Sequence, residues 1–220
     1  MARRQPRQAP WREIAVLAYS EHVGKYLQRR PSRAESVVIM IGRKRFRQAL
    51  KMASTLESVA TLADVPAAAA RYPALRFTLF DLPAVTEIAS ETFEKHGISG
   101  RTQITSGSFL KDPLPLGADV ASLIRVLHDH DDDSALVILT GIRKALPPQG
   151  RLVLAEPLSG APDTAPIADA YFGLYFAAMG QGKTRTSTEI AHLGRMAGFT
   201  RISTPRSRMP LITSVMVLEH

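Results

Sequence analysis

From residue 75 onward the chain repeats one pattern: a short apolar run, then an amphipathic stretch closed near a glycine. Leu75–Phe80 (LRFTLF) reads as a buried strand that ends at Asp81 and is punctuated by Pro83. Val85–His96 has helical spacing and stops at Gly97, and Thr102–Thr105 is a brief strand. Asp119–Leu127 (DVASLIRVL) is a longer strand closing on His128. Asp133–Leu146 reads as a helix with an acidic start and with Arg143 and Lys144 at its end, as the helix dipole favours. After Gly150, Arg151–Ala155 (RLVLA) makes another strand, ending at Glu156. An aromatic-rich helix over Ala168–Met179, a helix over Ser187–Ala197 stopped by Gly198, and strands at Phe199–Ser203 and Ile212–Leu218 complete the series. Alternation at this spacing predicts an α/β fold, a mostly parallel sheet with helices on both faces. The last two strands are joined by a loop too short for a crossover helix, so they should pair antiparallel and put one reversed strand into the sheet.

The first 50 residues have another character. They hold 12 Lys and Arg against only Glu13, Glu21 and Glu35, whereas the remainder is close to neutral, so the overall +8 describes an arm. Trp11–Leu27 could form a helix that Pro31 would stop. We therefore divide the chain into an atypical basic segment, 1–50, and a domain, 51–220. A basic arm can attract nucleic acid or an anionic surface. It carries no zinc pattern or RNA-recognition signature, and specific nucleic-acid binding is not expected. The absence of cysteine excludes disulfides, Cys-ligated zinc, iron–sulfur clusters and thiol catalysis. No apolar run approaches the roughly 20 residues that span a bilayer. Ile14–Ser20 is too short and too polar at its flanks for a signal peptide, so the expected location is cytoplasmic.

Chemistry concentrates at three strand ends. Asp81, His128 and Glu156 close three successive core strands, and in an open α/β sheet the ligand crevice lies outside those ends. An acid after the second strand can accept hydrogen bonds from the ribose hydroxyls of a nucleotide cofactor; the plainer alternative is a helix N-cap. The run Asp129, Asp131, Asp132, Asp133 invites a metal, yet it opens a helix whose dipole favours acids, and no glycine-turned calcium loop follows. No metal site is assigned. His130 is expected to face solvent. Tyr171, Phe172, Tyr175, Phe176 and Met179 fall at helical spacing, as core or as one wall of an apolar pocket.

RYPALRFTLFDLPAV (71–85), GSFLKDPLPLGADV (107–120), RVLHDHDD (125–132), ALPPQGRLVLAEP (145–157) and MAGF (196–199) occur in the order of a known family. Over roughly residues 66–220 the chain resembles the S-adenosylmethionine-dependent O-methyltransferases of the caffeate and hydroxyneurosporene type. GSF, HDHDD and AYFGLYFAAM resemble its bacterial carotenoid branch. The resemblance implies a Rossmann-like class I methyltransferase sheet, S-adenosyl-L-methionine as cofactor, and a small apolar hydroxylated substrate such as a hydroxylated carotenoid. It implies His128 as the base, since an imidazole can take the hydroxyl proton as the methyl group arrives. Glu156 would orient that ring, its alternative being a surface ion pair. Asp81 would hold the ribose. Gly107, Ser108 and Phe109 would embrace the adenine, with Ser108 where many relatives have Asp; a plain turn is the alternative. Arg125 would line the cofactor pocket, or else pack its stem at the sheet end.

Departures from the family pattern stand beside the resemblance. Relatives carry an N-terminal helical domain that dimerises, and this chain has about 50 arginine-rich residues in its place, so a homodimer stays open. Counting back from Asp81 puts the family's glycine-rich loop at Leu56–Val65, yet no glycine occurs between Gly42 and Gly97. Thr184, within GQGKTRT, replaces a second acid that clamps the histidine in phenol-specific relatives. The competing expectation is an inactive or truncated remnant, or an interaction module without a working cofactor loop.

Overall fold

The computed structural model describes residues 13–17, 69, 76–124, 126–160, 169–170, 173–174, 182–205 and 214–220. Within them seven strands form one sheet: β1 (Glu13–Leu17), β2 (Phe77–Asp81), β3 (Thr102–Ser106), β4 (Ala118–Ile124), β5 (Arg151–Glu156), β6 (Arg201–Ser203) and β7 (Ser214–Glu219). Three helices accompany them: α1 (Pro83–Lys95), α2 (Asp132–Ala145) and α3 (Ser187–Met196). The strand order is β3-β2-β1-β4-β5-β7-β6. β3, β2, β1, β4 and β5 are parallel, and β7 runs antiparallel to both neighbours, as the short last loop requires.

Burial explains the central strands. All five residues of β2 are buried, and β5 is buried from Leu152 to Glu156. Such strands read as continuous apolar runs because both faces are covered. β6, at the edge, is three residues long with Arg201 and Ser203 exposed, which leaves little edge for another chain to pair with. α2 buries Ala135, Ile138, Leu139 and Ile142, one helical stripe, and Asp131 caps it by accepting the Ser134 amide at 2.8 Å. α3 opens with a capping box between Thr186 and Glu189. It approaches the sheet so closely that a Cβ on Gly194 would lie 2.7 Å from Leu218 Cδ2.

Two expectations are corrected. Glu13–Leu17 is not helical: it is an interior strand, pairing Leu17 with Phe80 on one side and Val16 with Ser122 on the other. The sheet thus draws on both sides of the division at residue 50. The run IAVL is too short for its period to separate helix from strand, and only the pairing decides. The segment Leu56–Val65, where the glycine-rich loop is expected, lies outside the described residues. β4 ends at Ile124, and His128 sits beyond it in a single 3₁₀ turn, Leu127–Asp129. Of the expected helix 168–179, residues 169–170 and 173–174 are helical; Tyr171, Phe172, Tyr175, Phe176 and Met179 lie outside the described residues. No helix among the described residues is long and apolar enough to cross a membrane.

Candidate active site

The strand order reverses between β1 and β4, the place where an open sheet leaves a crevice beyond its carboxyl ends. Asp81 closes β2 there and Glu156 closes β5. Asp81 is completely buried. Its Oδ1 accepts the Leu82 amide at 2.7 Å, and its Oδ2 has no hydrogen-bond partner among the described residues. It is not a helix cap, because Leu82 holds the N-cap position of α1 and Pro83 begins the helix. Burial pushes the Asp81 carboxyl well above the usual range, and the Leu82 amide offsets this in part.

Gly107 follows β3 and donates its amide to Asp81 O at 2.8 Å. A Cβ there would lie 2.5 Å from Phe80 Cζ, so the close approach of this loop to β2 requires glycine. The Ser108 amide is taken by Asp112 Oδ2 at 2.8 Å, and Ser108 Oγ accepts the Leu110 amide at 3.4 Å. Phe109 is buried and meets the edge of His130, ring centroids 5.9 Å apart at 81°. His130 therefore does not face solvent: it is 5% exposed, and burial pulls its imidazole down to about 4 against the opposing charge of Glu156. Arg125 lies outside the described residues.

The second half of the rim is a hydrogen-bonded network. Glu156 Oε1 accepts the amides of Val126 and Leu127, both at 2.8 Å, and Oε2 lies 2.6 Å from His128 Nδ1. An ionised carboxylate only accepts, so in this pair Nδ1 donates to Oε2. Asp129 Oδ1 stands 3.4 Å from Nε2, so a second carboxylate flanks the ring even though Thr184 supplies none. The other acids of the run have separate duties. Asp131 caps α2, and Asp132 pairs with Lys183 at 3.0 Å and with Arg185 at 2.7 Å. Sequence reasoning missed Arg185, which is buried and donates to Leu127 O and His130 O, each at 2.7 Å.

A sheet of this order with a reversed β7, an acid closing β2, and a His–Glu pair joining the turn after β4 to the end of β5 defines a Rossmann-like class I methyltransferase fold. Among such proteins the chain belongs to the O-methyltransferase domain family, which it matches over residues 44–200. It is 42% identical over 149 residues to demethylspheroidene O-methyltransferase of Rhodobacter capsulatus, an alignment covering 68% of this chain and 36% of that protein. The corresponding protein of Cereibacter sphaeroides is 41% identical over 145 residues, covering 66% and 38%. The chain thus spans under two fifths of the length of these relatives. Human N-acetylserotonin methyltransferase, solved in complex with S-adenosylmethionine, superposes with a TM-score of 0.57 at 28% identity, over 69% of this chain and 42% of that one.

Proposed function

We propose that the chain is an S-adenosylmethionine-dependent O-methyltransferase that methylates a hydroxyl of a small apolar substrate, working in the cytoplasm. What carries the proposal is one rim holding both a completed His128–Glu156 pair and the buried Oδ2 of Asp81, which has no hydrogen-bond partner among the described residues. An acceptor oxygen buried without a donor is costly, and ribose hydroxyls are donors of the right kind. Asp81 would hold them, and Gly107, Ser108 and Phe109 would bound the adenine. Arg125, the next residue in the sequence after β4, would add to the cofactor pocket. The bound cofactor supplies an electrophilic methyl group on a sulfonium.

Three strand spacings separate Asp81 from Glu156, roughly 14 Å at about 4.8 Å each. That gap leaves room for a sulfonium and an acceptor hydroxyl between ribose carboxylate and base. His128 Nε2 would take the hydroxyl proton, while Glu156 holds the ring by Nδ1 and offsets the charge it gains. The demethylspheroidene O-methyltransferases among its relatives suggest a hydroxylated carotenoid as substrate.

The test is calorimetric titration with S-adenosylmethionine, then a methyl-transfer assay with hydroxylated carotenoids. Micromolar binding, about −8 kcal/mol, should weaken at least tenfold in Asp81→Ala. His128→Ala should bind cofactor as the parent does and lose about 10²–10⁴-fold in kcat. No heat from a folded parent chain overturns the proposal.

A further inference from the structure

The turn that carries His128 is gripped from two sides. Glu156 Oε1 takes the amides of Val126 and Leu127 on one side. On the other, residues 183–185 take the carbonyls. The Lys183 amide donates to His128 O at 2.8 Å; Arg185 Nη1 donates to Leu127 O and Nη2 to His130 O, each at 2.7 Å. Arg185 Nε donates to Asp132 Oδ1, also at 2.7 Å. Arg185 is 2% exposed, the one Lys or Arg in the buried set among the described residues.

We infer that Arg185 is a positioning residue for proton transfer at His128, fixing the turn from Leu127 to His130 so that the imidazole keeps its place against Glu156. Its chemistry rests on the function proposed above; its geometry does not. A guanidinium is a rigid planar fork with five donors, and here it spans the histidine, meeting one carbonyl before it and one after it. Lysine would keep the charge but not the fork, so it could not satisfy both carbonyls and Asp132 in fixed directions. The charge matters separately. The imidazole faces Glu156 and Asp129, with Arg185, His130, Asp131, Asp132 and Lys183 around the same turn. Removing the buried cation leaves those carboxylates less opposed and favours the protonated ring.

The experiment compares Arg185→Lys, Arg185→Gln and Asp132→Asn in the whole chain by steady-state kinetics, pH–rate profile, cofactor titration and thermal melting. Arg185→Lys should lower kcat about 100-fold, the scale of misplacing a reacting group by about an ångström, with KM and cofactor affinity unchanged and the acid limb of the profile unmoved. Arg185→Gln should lower kcat at least as much and move that limb to higher pH. Wild-type kcat in Arg185→Lys overturns the inference, and so does a loss of kcat matched by equal losses in cofactor affinity and melting temperature. Asp132 is half exposed, so Asp132→Asn keeps the test decisive if the arginine variants fail to fold. A fall in its kcat alone supports positioning, and unchanged kcat overturns it. If the parent chain transfers no methyl group, the proposed function fails by itself. NMR titration of His128, assigned with His128→Gln, then decides: a midpoint higher in Arg185→Gln than in the parent supports the inference, and equal midpoints overturn it.

Discussion

Asp81 and Glu156 are both buried carboxylates at the last position of a parallel strand, yet their surroundings are opposite. Glu156 spends both oxygens inside the chain, on two amides and an imidazole. Asp81 spends one oxygen on the next amide and leaves the other without a donor among the described residues. A buried polar atom without a partner is rare in folded proteins because it forfeits its hydration. The contrast separates two kinds of site residue. Glu156 is part of a device the fold completes by itself, and under the proposed function Asp81 is half of a contact that a ligand would complete.

The largest expected effect comes from breaking the completed half. Glu156→Ala strands two buried amides and the imidazole, and should cost about 3–5 kcal/mol in denaturant unfolding. Glu156→Gln keeps an acceptor for the amides but turns a donor toward Nδ1, which moves the ring hydrogen to Nε2. Stability should then change little while kcat falls about 10⁴-fold, the behaviour of an amide in place of a triad carboxylate. Equal stability loss in the two variants would show that Glu156 is a structural strut only.

His130 lies between the halves, its ring against Phe109 and its carbonyl on Arg185. Its imidazole is depressed from 6.5 to about 4, chiefly by burial, so the folded state resists protonation. The stability it contributes is complete above pH 6.5 and is lost as the pH falls toward 4, about 3 kcal/mol by pH 4. Unfolding followed over pH 4–7 should therefore be markedly flatter in His130→Gln than in the parent.

The strands and helices from residue 77 onward were legible because each writes its own local signal: apolar runs for β2, β4, β5 and β7, and caps or dipole-matched charges for α2 and α3. Asp81 and Glu156 were legible for the same reason, being charges that end such runs. β1 was not. Five residues beside a charge-dense segment have no decisive period, and their pairing partners begin at Thr78, far along the chain. Arg185 was not legible either, because its acceptors lie 53 to 58 residues earlier and two of them are carbonyls that any residue could present. His130 misled because a histidine within an acidic run resembles a solvated helix start. What buries it is the ring of Phe109, brought in from another loop.

The smallest effect has the opposite sign, and it tests the contrast most directly. A carboxyl raised by burial lends the fold stability that is complete below its ordinary value of 3.8 and lost as the pH rises through its folded-state value. Asp81→Asn removes that loss while keeping an oxygen for the Leu82 amide. Without cofactor the variant should be more stable than the parent at pH 7 by about 1–3 kcal/mol, and the difference should shrink on acidification. With S-adenosylmethionine at a hundred times its Kd, the parent should gain about 2.7 kcal/mol and a variant weakened tenfold about 1.4, so the variant's lead in melting temperature shrinks. A variant that melts below the parent without cofactor would mean that Asp81, like Glu156, is already satisfied within the chain. The division between a finished half and a waiting half would then be lost.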